Sequence, residues 1–178
     1  MFTDNNIFFP KGQHFEDSAT TYNILLLANK IELVDEPFYN YIVDRAGAIT
    51  NTINRKIFDI FDSCDSIINF YKKNGCFDLC YRQIEEQCRI LIFTRINSLK
   101  HCNDKKLAID FIKCAYEYLD SNFKRWRKNP YYLKSFKSKA YKKKVFNRIK
   151  SSKHLMLCYF RMPKKIKSIL KKIYKKLK

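Results

Sequence analysis

Two acidic residues, Glu16 and Asp17, stand side by side just ahead of an apolar stretch with helical spacing. A carboxylate there meets the free N–H groups of a helix start, where capping and the helix dipole favour it. Taken alone, the pair reads as a helix cap. The chain that follows adds a second reading. A short β-branched run, Ile31–Val34, leads into a Tyr-rich loop that carries Tyr39, Tyr41 and Arg45. The order sets an acceptor-only side chain in front of whatever that loop binds.

Other chemistry-bearing residues are more scattered. The seven cysteines are 64, 76, 80, 88, 102, 114 and 158. An odd number, helical surroundings and no signal-peptide pattern point to free thiols in a reducing compartment. Cys76 and Cys80 lie four apart, on one face if helical, but a zinc site needs two more ligands, and only His101 and Cys102 are near in sequence. These cysteines read as small buried side chains, and the expected metal site is none. Asp59, Asp62 and Asp65 are three apart, the spacing of a solvated helix face.

Charge is unevenly spread. Residues 1–120 hold 14 Lys/Arg and all 17 Asp/Glu, whereas residues 121–178 hold 22 Lys/Arg and no acid. A near-neutral body therefore carries a basic tail, and a global pI argument for nucleic-acid binding misses this asymmetry. The last segment begins at Pro163. In it Ile166, Ile169, Leu170, Ile173 and Leu177 form a narrow apolar stripe among eight Lys, starting with Lys164 and Lys165. Such a helix suits the interface of an anionic membrane. Lys far outnumbers Arg in the tail and no base-reading motif is present, so nucleic acid is the weaker partner. No run of 18 apolar residues occurs, so no stretch is expected to span a bilayer.

Few Gly (3) and Pro (4) residues favour long helices. Helical spacing predicts a helix over 17–30, with Ile24, Leu25, Leu27 and Ala28 as its apolar face. Ile31–Val34 is predicted as a strand, and Phe38–Val43 as extended and aromatic. Three amphipathic helices follow. One is ended by Asn74-Gly75, a second runs to about Lys100, and a third is capped by Asp104 and ends near Asn122. Short connections make them an antiparallel bundle. Lys124–Lys134 reads as a basic aromatic loop, and basic helices are expected at 135–150 and 152–160.

The stretch FPKGQHFEDSATTYNILLLANKIELVDEPFYNYIVDRAGAIT, residues 9–50, resembles the second half of the catalytic domain of family 2 glycosyltransferases, especially bacterial members that build cell-surface polysaccharides. The likeness rests on Phe15-Glu16-Asp17, on Leu25 to Lys30, on Val34-Asp35-Glu36-Pro37-Phe38-Tyr39, and on Arg45-Ala46-Gly47-Ala48-Ile49-Thr50, where Ala48 replaces the usual Ser. Phe58–Phe61, Phe70–Gly75 and Trp126–Tyr131 extend it more weakly, to about residue 133.

The resemblance implies a nucleotide-diphospho-sugar transferase fold (glycosyltransferase A-type) and inversion at the anomeric carbon. Asp17 would be the general base and Glu16 would orient the acceptor or the base. Arg45 would offset charge on the leaving diphosphate, and Tyr41 would bind substrate. Family members hold a nucleotide sugar and a divalent metal through an N-terminal half that carries an Asp-x-Asp motif. No Asp-x-Asp and no Gly-rich phosphate loop occur here. The expectation is thus a mainly α chain in three parts: a short α/β catalytic remnant (1–52), a helical bundle (53–122), and a basic aromatic linker with a Lys-rich tail (123–178). Cofactors are expected of the complete enzyme and none of this chain, which would be inactive alone. It would be a piece of a longer enzyme, a subunit completing a partner with the donor half, or a decayed remnant; the intact motif order favours the first. Its setting would be peripheral, at the cytoplasmic face of a bacterial membrane, with a glycan acceptor. The competing class is a non-enzymatic basic helical module on anionic membrane or nucleic acid.

Overall fold

The computed structural model describes residues 2–40, 42, 53–136, 152–163 and 166, and it divides into two compact units, Met1–Cys102 and Asn103–Lys178. Among the described residues the regular structure is helical, with no strand. The mainly α expectation is met and the α/β remnant is not. Ile31–Val34 is irregular, and its apolar side chains are exposed, Leu33 to 96%. A strand needs a neighbour for its backbone N–H and C=O groups, and no described segment supplies one. Phe38–Asn40 and Ile42 are likewise without regular structure.

In the first unit, a single 3-10 turn (Thr3–Asn5) and a left-handed Asn6 bend the chain so that Ile7 is buried. Helix α1 is Glu16–Leu27, three residues shorter than expected at its C-terminal end, where Ala28 turns extended. Its buried face is Ala19, Thr20 and Asn23, not the expected one. Leu25 is exposed, and Ile24, Leu27 and Ala28 are half-exposed. Small residues let α1 lie close along α2 (Asp59–Lys73), its main packing partner.

Helix α2 grows out of a 3-10 turn, Arg55–Phe58, whose start is capped by Asn54 Oδ1 accepting from the Lys56 N–H at 2.9 Å. It stops at Asn74-Gly75, as expected. Gly75 has φ +67, a conformation that favours glycine, and the Gly75 and Cys76 N–H groups close onto the Lys72 and Tyr71 carbonyls. Helix α3, Tyr81–Ser98, then packs back on α2. Ile60, Cys64, Ile67 and Ile68 of α2 and Ile84, Cys88, Ile92 and Ile96 of α3 are buried. Each buried Ile contributes about 1.5–3 kcal/mol. Cys64 and Cys88 meet in this seam, with Cys64 Sγ 4.0 Å from the Cys88 carbonyl.

In the second unit, Asp104 caps α4 (Lys105–Asn122) by accepting from the Leu107 N–H at 3.0 Å, as expected. Leu107, Phe111, Ile112, Ala115 and Leu119 form its buried face. The expected loop over 124–134 is instead a 3-10 turn, Trp126–Lys128, followed by helix α5, Pro130–Phe136. The aromatics are the reason: Trp126 and Tyr132 are buried, and the Trp126 ring centroid lies 6.1 Å from that of Tyr116 and 5.8 Å from that of Tyr132. The Trp126 indole N–H donates to Asp120 Oδ1 at 2.8 Å. Pro130 starts α5 without losing a helix hydrogen bond. Helix α6, Lys153–Arg161, is capped by Ser152 and packs on α4 through the buried Met156. The expected helix over 135–150 falls mostly outside the described residues.

Candidate functional site

Residues 13–17 are presented by α2 and α3. Phe15 has φ 64 and ψ 31, the left-handed region, which costs an L-residue about 1–2 kcal/mol. Five contacts offset that cost. The His14 N–H donates to Asp59 Oδ2 at 2.9 Å. The Gln13 side-chain amide donates to the Asp59 carbonyl and to Ser63 Oγ, each at 3.2 Å. The Ser63 hydroxyl lies 3.1 Å from the Phe15 carbonyl. The fifth and last contact is the Arg95 guanidinium over the Phe15 ring, 4.4 Å from its centroid. Asp59 is therefore not the solvated residue its spacing with Asp62 and Asp65 suggested. Asp62 and Asp65 are exposed, whereas Asp59 is half-buried and bound to the turn.

This turn starts α1 and leaves both acids at the surface. Glu16 and Asp17 are exposed. The residue before them makes no side-chain cap. Asp17 Oδ1 accepts from the Ser18 N–H at 2.7 Å and from Ser18 Oγ at 3.3 Å, which fixes one oxygen at the helix start. Asp17 also acts electrostatically on two neighbours. Burial lowers the pKa of Arg95, and Asp17 opposes that shift. Burial raises the pKa of the Tyr22 phenol, and Asp17 adds to it. Arg95 Nε is buried and has no hydrogen-bond partner. The result is a carboxylate pair at a helix start, with a half-buried cation and a phenol beside Asp17. It can accept a hydrogen bond or a proton from a hydroxyl brought to the surface.

Arg95 was missed in the sequence. The signal was there: it follows Cys88 and Ile92 by seven and three residues, on the core-facing side of α3. A cation at such a position needs a partner.

Of the other expected site residues, Tyr41 and Arg45 lie outside the described residues. So do Lys164, Lys165, Ile169, Leu170, Ile173 and Leu177, and Ile166 is exposed. Cys76 and Cys80 are joined by a single turn, Cys80 N–H to Cys76 carbonyl at 3.0 Å. Only Cys64 and Cys88 among the seven thiols are buried, a correction to the reading of all of them as core residues. Among the described residues no group of three or more His, Cys, Asp or Glu is placed to hold a metal ion. No described helix is long and apolar enough to cross a membrane.

Compared with models of known families, with curated proteins and with solved structures, the chain finds no match in any of the three.

Proposed function

We propose that this chain is the acceptor-side part of an inverting family 2-like sugar transferase. Asp17 is the general base that takes the proton of the acceptor hydroxyl, and Glu16 orients the acceptor. The observation that carries this reading is the strained turn at Phe15. Asp59, Ser63 and Arg95 hold an unfavourable backbone so that two carboxylates face solvent. Strain of this kind concentrates at functional sites. A cap alone needs neither the left-handed Phe15 nor the Arg95 contact.

Two apolar surfaces support a missing donor half. One is the exposed segment with Ile31, Leu33, Val34, Phe38, Tyr39 and Ile42; the other is the outer side of α1 at Leu25. Both suit a sheet supplied from elsewhere. In this reading the divalent metal and the nucleotide sugar are held by that donor half. In the complete enzyme, Arg45 would offset charge on the leaving diphosphate and Tyr41 would line the substrate site. The setting is the cytoplasmic face of a bacterial membrane. The test is intact mass of the native protein, captured from its own cells. A product larger than 21.5 kDa, or one that co-purifies with a nucleotide-sugar-binding chain, is expected. A lone 21.5 kDa chain would count against it.

The acid-free residues 121–178 favour a second role alongside the first, docking on anionic membrane. Co-sedimentation with phosphatidylglycerol vesicles should be lost on deletion of residues 163–178. A salt-sensitive shift of random-sequence RNA with no vesicle binding would instead favour a nucleic-acid module.

A further inference from the structure

The N-terminal segment, the α2-facing side of α1, and α2 enclose a groove that Glu16 and Asp17 do not line. Two adjoining depressions, of about 390 and 230 Å³, share Asn6, Phe70 and Lys73. The larger falls in the ~300–1,000 Å³ range of small-molecule clefts. Six lining residues carry side-chain amides: Asn5, Asn6, Gln13, Asn23, Asn69 and Asn74. Of these, the Gln13 amide already donates to Asp59 and Ser63 and the Asn74 amide to the Phe70 carbonyl.

Asn23 is the sharpest observation. It is 6% exposed, and its Oδ1 has no hydrogen-bond partner. Its Nδ2 reaches only Ser66 Oγ, at 3.4 Å. An orphaned buried acceptor costs about as much as a lost hydrogen bond, so a core position facing α2 should have been apolar. An amide there is kept at a cost that a ligand's donor would offset, after a small rotation of the side chain toward the groove.

We propose that this groove is a saccharide-binding subsite for one or two pyranose rings of an uncharged sugar. An amide both donates and accepts, which matches neighbouring hydroxyls that do the same. Phe70 and Phe8 also line it, and an aromatic ring's negative face suits the C–H side of a pyranose. Lys73 is the one cation of the lining. A phosphate site would converge several donors of positive charge, so the chemistry favours neutral hydroxyls. The inference stands apart from the transferase reading, because it uses neither Asp17 nor a donor half.

The experiment is a two-dimensional NMR titration of the whole chain with glucose, galactose, N-acetylglucosamine and cellobiose, with inorganic phosphate as the control. Asn69 is exposed, so Asn69→Ala keeps the fold; Asn23→Leu removes the orphaned amide. Saturable shifts at the Asn23 and Asn69 side-chain amides are expected for at least one sugar. Each variant should weaken that binding by about fivefold or more, and Lys105→Ala, an exposed position in the other unit, should leave it unchanged. The proposal is overturned if no sugar gives a saturable shift. It is also overturned if phosphate alone does, or if both variants bind as tightly as the unaltered chain.

Discussion

The Arg95 guanidinium lies 4.4 Å from the centroid of the Phe15 ring, and Phe15 is the left-handed residue from which the helix bearing Asp17 starts. Arg95 therefore steadies the turn, and it lies within the field of Asp17. Arg95→Ala removes the cation–π contact and the aliphatic stem. Its expected cost is about 1–2 kcal/mol in urea unfolding. Arg95→Lys should recover part of it, and equal losses for Ala and Lys would show that the charge over the ring contributes nothing.

Phe15 itself gives a sharper contrast. With φ 64 the position suits glycine. Phe15→Gly and Phe15→Ala both lose the ring, but only Gly relieves the backbone. Gly should be more stable than Ala by about 1 kcal/mol, the reverse of their order inside a helix. Thermal unfolding of the two variants checks this, and Ala above Gly would mean the turn is not left-handed in solution.

Asp120 links the second unit to pH. Burial pushes its carboxyl up, but the hydrogen bonds from Arg127 and Trp126 outweigh burial and hold the pKa below the ordinary value. A lowered folded pKa contributes stability above the unfolded value of about 3.9, and that stability is lost as pH falls through the folded pKa. Asp120→Asn should therefore lower the urea midpoint at neutral pH, and the gap to the unaltered chain should close in strong acid. A gap that does not depend on pH would place the loss in packing instead.

The thiols report on the α2–α3 seam. Cys88, through a hydrogen bond, and burial together hold the Cys64 thiol well above its ordinary pKa. Cys64 and Cys88 should react with an aromatic disulfide reagent only as the protein unfolds, while the five partly exposed thiols react in the native state. Prompt reaction of all seven would contradict the packed seam.

Helix ends and caps were legible where one residue type decides them. Asn74-Gly75 closes α2, and Asp104 caps α4. What failed were inferences that depend on a neighbour. Ile31–Val34 has strand composition but no adjoining strand among the described residues. The apolar face assigned to α1 was its richest in Leu and Ile, yet α2 meets Ala19, Thr20 and Asn23, because close helix approach selects small side chains. Lys124–Lys134 looked like a loop by charge, while its buried aromatics made it a turn and a helix. For the site, the Glu16-Asp17 pair was visible in sequence. Asp59, Ser63 and Arg95, which hold it, are 42 to 79 residues away from Asp17 or Glu16 in the chain and come together only through packing.

The most direct test is sugar transfer by the native complex, or the full-length enzyme, carrying Asp17→Asn, with acceptor binding and helix content measured on the same sample. The account predicts a fall in transfer of about 10²–10⁴-fold with binding and folding retained, since Asp17 is exposed. Transfer within about twofold of the unaltered enzyme would contradict the assignment of Asp17 as the base. It would return the acidic pair to the role of a helix start.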